Sequence, residues 1–307
     1  MLLASRRLRL PDRHSKRGQL GRDGKANADR DPSCRTLLLM NKTVLFLWCL
    51  ASLVAARVSA APPPVAPPVL AHSTQMVVVV TSGWDAVPGR LERFERADPN
   101  DSWRSVGEPI PIVVGNKGMG WGIGLIDAGQ PGVRIESEPI KTEGDGKSPA
   151  GVFALGTAFG YAAQPLPGLK LPYLVLTPSI ECVDDASSKN YNRIVDRSAV
   201  VPDWNSSEHM RDVGEAYRWG AVIDHNATVP GRTAPRPGGG SCVFLHIWHS
   251  PASGTAGCTA MTSSNLESLL LWLDPSRLPM LVQLPESAYQ RLAGMWSLPQ
   301  LPAPTAH

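Results

Sequence analysis

The chain has 307 residues, of which 43% are hydrophobic, and a formal net charge of +3. This length and apolar content allow one large domain or two small ones with a real core, and they exclude a disordered chain. Residues 1–42 carry eleven Lys and Arg against four Asp, whereas residues after position 60 carry 18 basic and 23 acidic side chains. The basic excess therefore belongs to the start of the chain, and the remainder is not expected to bind nucleic acid.

The stretch from Met40 has the three parts of a secretory signal. Lys42 is followed by an apolar run over residues 43–56 and by small residues at 58–60, an arrangement typical of cleavage before Ala61. The run is about 14 residues, short of the roughly 20 that span a bilayer, which favours cleavage over an uncleaved anchor with a basic cytoplasmic tail. We predict a leader over residues 1–60 with its true start at Met40, export to the periplasm or cell envelope, and only transient membrane contact.

The rest of the chain divides into a linker, a folded domain and a tail. Residues 61–73 are proline-dense and predict an extended linker. Residues 74–285 predict one domain, with a long loop-rich insert over about residues 181–240, and residues 286–307 are expected to form a C-terminal tail.

Short apolar runs bounded by Gly, Pro or Asp predict a mainly β domain. Many short strands with such turns favour a sandwich or barrel of mixed sheets with a few short helices. The runs lie at Gln75–Val80, Leu91–Arg96, Pro109–Gly115, Gly151–Gly156, Leu171–Thr177, Gly220–His225, Ser241–Trp248 and Pro279–Leu284.

One clear helix is predicted after residue 263. Leu266, Leu269, Leu270 and Leu273 have helical spacing, and Ser264 with Glu267 has the pattern of a capping box. Within the insert, the polar stretch from 182 to 240 predicts mostly loops, with a short helix near residues 207–213.

The segment "HIWHSPASGTAGCTAM", residues 246–261, carries the candidate chemistry. In the strand before it, Cys242, Phe244 and His246 share one face, and Val243, Leu245 and Ile247 share the other. Both faces are apolar apart from the histidine, which is typical of a strand covered on both sides.

Three interpretations of this segment stay open. Cys258 could be a nucleophile with His246 as its base and with a backbone amide beside Gly257 stabilising an oxyanion. A zinc site of His246, His249 and Cys258 would need a bend at Trp248 and lacks a nearby fourth ligand. The third possibility is an ordinary buried cysteine and a core histidine without function.

"FLHIW…TAGCTAM", together with "GDGKSPAGVF" at residues 144–153, resembles the L,D-transpeptidase (YkuD-like) catalytic domain. The family has a proline-glycine turn before a strand, a strand-ending histidine and a Gly-Cys nucleophile motif. These match residues 148–151, His246 and residues 255–258, and the resemblance covers roughly residues 74–284. The departures are Ala256 where the family has His, residues 259–261 where it has Arg or Asn, and a short interval between histidine and cysteine.

The resemblance implies acyl transfer on peptidoglycan stem peptides. Cys258 would form a thioester, His246 would handle the proton, and Gly257 and Thr255 would belong to the site. An amine would resolve the thioester in a transpeptidase and water in an L,D-carboxypeptidase. A wall-binding module without activity and a general cysteine peptidase are the other possibilities, although no third orienting residue is evident. We expect no cofactor and no metal. We expect the protein to be a monomer.

Two further expectations concern the insert. Arg193 and Arg211, and more weakly Arg197 and Arg218, are candidates to bind substrate carboxylates. In an oxidising compartment, if Cys258 must stay free, Cys182 and Cys242 are the pair left to form a disulfide once the leader, which carries Cys34 and Cys49, is removed.

Overall fold

The computed structural model describes residues 67–228 and 231–302. The predicted leader and residues 61–66 of the predicted linker lie outside these residues. Within the described part of the chain, no helix combines the length and apolar character needed to cross a membrane.

The described chain is mainly β, as predicted. Its α-helices are α1 (Pro68–Ala71), α2 (Ser263–Trp272) and α3 (Glu286–Trp296). Its strands are β1 (Gln75–Thr81), β2 (Pro88–Glu95), β3 (Arg104–Ser105), β4 (Ile110–Val113), β5 (Met119–Trp121), β6 (Ser148–Gly160), β7 (Tyr173–Val175), β8 (Ile180–Val183), β9 (Ile194–Asp196), β10 (Ser207–His209), β11 (Trp219–Ile223), β12 (Phe244–Ile247), β13 (Thr259–Met261) and β14 (Met280–Pro285).

Eight of these strands close into a barrel. They pair in the order β1, β14, β6, β11, β12, β13, β4 and β2, and β2 pairs back with β1. The β1–β14 and β12–β13 pairs are parallel and the other pairs of the ring are antiparallel, so the sheet is mixed. Closure removes the free strand edges of the ring. β3 extends from β2, and β5 and β7 pair with β6.

β12 is buried on both faces because it separates two cores. Val243, Leu245 and Ile247 belong to the large core with β1, β6 and β14. Phe244 belongs to a smaller core that includes Cys258. The alternation predicted from the sequence is therefore confirmed, and the smaller core is the layer on which the insert rests.

The insert contains more regular structure than predicted. β10, β8 and β9 form a separate three-stranded antiparallel sheet in that order. The short helix predicted near residues 207–213 begins later than expected. Ser207–His209 forms β10, and a 3₁₀ helix runs over Met210–Tyr217. Strands of three or four residues with polar side chains carry too little apolar alternation to be seen in the sequence.

Three other segments also differ from expectation. Residue 286, expected to begin a tail, begins α3, which packs against β14 and buries Tyr289, Leu292 and Trp296. The linker ends in the short helix α1, whose Leu70 is buried. α2 buries its predicted leucine face, but its N-cap is Thr262, which accepts from the Asn265 amide, and the predicted Ser264 capping box is wrong.

Candidate active site

His246 lies on β12, and Cys258 directly precedes the adjacent strand β13. The parallel pairing of β12 with β13 places Ala260 beside His246. Alternate residues of a strand share a face, so Cys258, two positions before Ala260, lies diagonally from His246 on that face. The barrel register thus brings the predicted nucleophile and base to one place, beneath the insert.

The Cys258 sulfur is held by the main chain of the segment leading into β12. It accepts a hydrogen bond from the Phe244 amide at 3.3 Å and donates one to the Cys242 carbonyl oxygen at 3.6 Å. The residue is 8% exposed. An amide directed at the sulfur stabilises a thiolate, whereas the carbonyl holds the thiol proton, so the site contains a partner for each protonation state.

One ring nitrogen of His246 is hydrogen-bonded to the main chain, and the other keeps its lone pair. Its Nδ1 lies 2.8 Å from the Ile247 carbonyl oxygen. A carbonyl only accepts, so Nδ1 carries the proton and Nε2 keeps its lone pair. The ring of Tyr217 packs beside the imidazole, with centroids 5.5 Å apart. The orienting group that the sequence did not reveal is therefore a main-chain carbonyl.

Burial keeps both groups neutral. It lowers the pKa of His246 to about 4, assisted by nearby His249 and opposed by the bond to the Ile247 carbonyl. It raises the pKa of the Cys258 thiol to about 12, assisted by the charge of Glu208 and opposed by the Phe244 amide and Lys141. At pH 7 the resting state therefore has a neutral thiol and a neutral imidazole.

Both side chains line one cleft of about 520 Å³. One wall is the turn before β13, another is the insert, and the third is the loop before β6. The ionisable side chains of the cleft, apart from the two reactive groups, are Lys141, Glu143, Asp184, Glu208, Tyr217 and His249. Three acidic side chains against one lysine give the cleft a predominantly acidic lining, although burial raises the pKa of the Glu208 carboxyl.

The "SPAG" segment holds the nucleophile turn from below. Ser148, fully buried at the start of β6, donates to the Cys258 carbonyl oxygen at 2.8 Å and accepts from the Gly115 amide. Thr255 donates to the same carbonyl at 2.6 Å and accepts from the Gly257 amide. Thr255 lines the cleft, as its predicted role in substrate binding requires, but its hydroxyl is engaged within the turn.

Gly257 lies where a side chain would fit only tightly. A Cβ at this position would stand 3.1 Å from the Lys147 carbonyl oxygen and 3.5 Å from Lys141 Nζ. The glycine of the motif therefore permits close approach of the nucleophile turn to the loop before β6.

The arginines of the insert lie away from the cleft. Arg193 is exposed, and Arg211 is stacked over the Tyr161 ring at 4.1 Å. Arg197 pairs with Glu181, and Arg218 with Glu215. None of the four lines the cleft, so the structure does not bring Arg193 and Arg211 to the predicted site.

Sequence reasoning missed Lys141, Glu208 and Tyr217. They come from the loop before β6 and from the insert, and each lines the cleft. The Tyr217 hydroxyl interacts with both the Glu208 carboxylate and the Cys258 thiol. No local pattern marks these residues, because only the fold brings them to the nucleophile.

Cys182 and Cys242 form a disulfide across 60 positions, with Cα atoms 5.9 Å apart. The bond joins β8 of the insert to the residue whose carbonyl accepts from Cys258. Cys258 is the free cysteine of the described chain. The disulfide thus ties the insert to the cleft and leaves the Cys258 thiol free.

The zinc alternative has no geometric support. Over residues 67–228 and 231–302, no group of three His, Cys, Asp or Glu side chains is placed to hold a metal ion.

Comparison of the chain with protein-family profiles, with curated proteins and with solved structures returned no match.

Proposed function

We propose that this chain is an exported L,D-transpeptidase that acts on peptidoglycan stem peptides through a thioester on Cys258, and that its barrel is a divergent form of the L,D-transpeptidase fold. The motif resemblance and the geometry of the cleft support the proposal together. The observation that carries it is that His246 on β12 and Cys258, directly before the paired strand β13, line one cleft, with His246 Nδ1 held by a carbonyl.

The first half-reaction follows from this geometry. As Cys258 Sγ attacks the carbonyl carbon before the terminal D-residue, His246 Nε2 accepts the thiol proton. The peptide C–N bond then breaks, and the same proton passes to the leaving amine of the D-residue. The products are a thioester on Cys258 and a free D-amino acid.

The second half-reaction needs an acceptor, and the acidic lining favours an amine. Glu143, Asp184 and Glu208 line the cleft that holds the thiol. A primary amine is an ammonium ion at neutral pH, and carboxylates raise its local concentration. After it loses a proton, the amine attacks the thioester, forms a peptide bond and releases the thiol.

Hydrolysis by the same thiol is the second candidate. A cleft of about 520 Å³ admits water as well as a peptide, so an L,D-carboxypeptidase uses the same residues. A wall-binding module without activity would need neither the fixed imidazole tautomer nor the free thiol. These two features favour an enzyme.

Trapping of the acyl-enzyme tests the nucleophile. Incubation of the purified protein with a carbapenem should give a stable adduct in the intact mass, located on Cys258 by peptide mapping. Cys258→Ala and His246→Ala should each abolish the adduct. His72→Ala, a change at an exposed histidine away from the cleft, should leave the adduct intact and serves as the control.

Muropeptide analysis tests the substrate. Purified sacculi incubated with the protein should acquire new cross-links between stem peptides, read by mass spectrometry against the Cys258→Ala variant. Shortened stems without cross-links would replace the transpeptidase by the carboxypeptidase. Unchanged sacculi together with a normal carbapenem adduct would reject peptidoglycan as the substrate.

Export is tested on the mature N-terminus. The protein recovered from the envelope fraction should begin at Ala61. Recovery with residues 1–60 still attached would favour the anchored alternative.

A further inference from the structure

Lys141 is a buried cation beside the nucleophile turn. Its side chain is 4% exposed, and Nζ lies 2.9 Å from Asp145 Oδ1 and 3.2 Å from the Thr142 carbonyl oxygen. An ammonium has three donors, and these bonds use two of them. A buried ammonium is costly unless it is paired and hydrogen-bonded, and Asp145 provides the pairing here.

The chain makes room for this side chain at two glycines. A Cβ on Gly240 would stand 2.9 Å from Lys141 Cε, and a Cβ on Gly257 would stand 3.5 Å from Nζ. The lysine stem therefore runs between the segment leading into β12 and the turn that carries Cys258. Its ammonium reaches the backbone of the residue directly before the nucleophile.

Asp145 fixes the ammonium in place. Burial opposes the charged form of Asp145, but hydrogen bonds from the amides of Thr142 and Lys147 and from Lys141 hold the pKa of the carboxyl below its ordinary value. The carboxylate is thus ionised, and it anchors Nζ through the 2.9 Å ion pair. Among the described residues that line the cleft, Lys141 is the only lysine or arginine.

We propose that Lys141 supplies the positive charge that stabilises the Cys258 thiolate. The inference rests on Cys258 as the nucleophile of the proposed function, but it does not depend on the identity of the substrate. It assigns to Lys141 the role of an electrostatic residue, distinct from the proton transfer assigned to His246.

Several other ionisable groups face the thiol. Glu208 and Tyr217 approach it from the insert, and Glu208 opposes the thiolate. His246 approaches from β12, and the remaining ionisable residues of the cleft wall are Glu143, Asp184 and His249. The pH dependence of thiol reactivity therefore contains all of these contributions, and only a comparison of matched variants isolates Lys141.

The test is the rate of Cys258 alkylation by iodoacetamide in the free protein, measured from pH 6 to pH 10. Lys141→Gln removes the charge but keeps an amide donor for Asp145, and Lys141→Arg keeps the charge. Lys147→Met is the matched control, because its ammonium binds Asp85 and the Lys117 carbonyl outside the cleft. Circular dichroism and thermal unfolding show whether each variant is folded.

Lys141→Gln should lower the alkylation rate at pH 8 by about tenfold or more and move the profile to higher pH, as removal of a nearby charge at low dielectric requires. Lys141→Arg should recover most of the rate. The inference is overturned if folded Lys141→Gln alkylates like Lys147→Met, or if Lys141→Arg loses as much rate as Lys141→Gln. Alkylation by iodoacetamide needs no peptidoglycan. If the variants show the expected alkylation rates but the protein does not act on sacculi, peptidoglycan is rejected as the substrate and the role of Lys141 stands.

Discussion

The Ser148 hydroxyl donates a 2.8 Å hydrogen bond to the Cys258 carbonyl oxygen across 110 positions of sequence. Thr255 donates to the same oxygen from three residues away. The two donors fix the peptide that follows the nucleophile, one from the barrel and one from the turn itself. The proline-glycine segment and the Gly-Cys motif, separate in the sequence, are therefore parts of one structure.

We predict that Ser148→Ala lowers the free energy of unfolding by about 1–3 kcal/mol, because it leaves the buried Gly115 amide without its acceptor. The double variant Ser148→Ala, Thr255→Ala should lose more than the sum of the single losses, since only the double change removes both donors of one carbonyl. Urea unfolding measures both values, with Ser102→Ala at an exposed serine as the control. Strict additivity would show that the two bonds do not share a role.

The sequence predicts the parts of this site that are encoded locally. Alternation over residues 241–248 indicates a strand covered on both faces, and Gly257 with Cys258 indicates a turn before a helix. The sequence misplaces the N-cap of α2 because residues 262–264 all carry hydroxyl groups, and each of them could cap the helix. In the structure β13 ends at residue 261, and Thr262 is the N-cap. α3 had a usable signal, since its buried Tyr289, Leu292 and Trp296 have helical spacing.

The cleft walls could not be predicted in the same way. Lys141 and Tyr217 lie far from residues 246–258 in the sequence, and barrel closure brings them there. Their types and spacing fit solvated surface positions equally well. For the arginines of the insert the sequence predicted a place in the site that the structure does not show. Arg211 has the charge expected of a carboxylate-binding residue, but it lies over the Tyr161 ring and not in the cleft.

We predict that stability falls in mild acid because two histidines are buried as neutral bases. Burial lowers the pKa of His246 to about 4 and that of His225 to about 3. In the unfolded chain a histidine has a pKa near 6.5, so below pH 6.5 the unfolded state binds more protons than the folded state. The stability that each neutral histidine contributes is therefore complete above pH 6.5 and is lost as the pH falls toward 4.

Chemical unfolding at pH 7 and pH 4.5 measures this loss, which should be on the order of 2–3 kcal/mol for each histidine. His225 Nδ1 accepts from the Ile123 amide and Nε2 faces the Gly239 carbonyl oxygen, so protonation breaks the first of these bonds. His225→Gln should reduce the pH dependence, whereas His72→Gln at an exposed position should not. An equal slope in all three proteins would contradict the assignment.

We predict one reactive thiol in the denatured, non-reduced protein that lacks residues 1–60, and three after reduction. The chain has five cysteines, of which Cys34 and Cys49 lie in the predicted leader. The Cys182→Ser, Cys242→Ser variant should lose about 3–4 kcal/mol on the chain-entropy argument for a loop of this size. Thiol titration and urea unfolding measure the two effects, and Cys258→Ala, which should titrate no thiol before reduction, is the control.

We predict that Asp184 favours the amine acceptor over water. Asp184 lines the cleft, and its Oδ1 has no hydrogen-bond partner within the described chain. An ammonium group that enters the cleft can pair with this carboxylate, and an ion pair at a partly exposed site contributes up to ~1 kcal/mol. Asp184→Asn should therefore lower the ratio of cross-linked to hydrolysed product by about two- to fivefold.

The ratio is measured by mass spectrometry on sacculi, with Asp101→Asn as an exposed control. Salt provides an independent check, because added ions screen the attraction between a carboxylate and an ammonium. Raising the ionic strength should lower the ratio in the wild type more than in Asp184→Asn. If the two proteins give the same ratio and the same salt dependence, the acidic lining does not select the acceptor, and selection must come from the shape of the cleft.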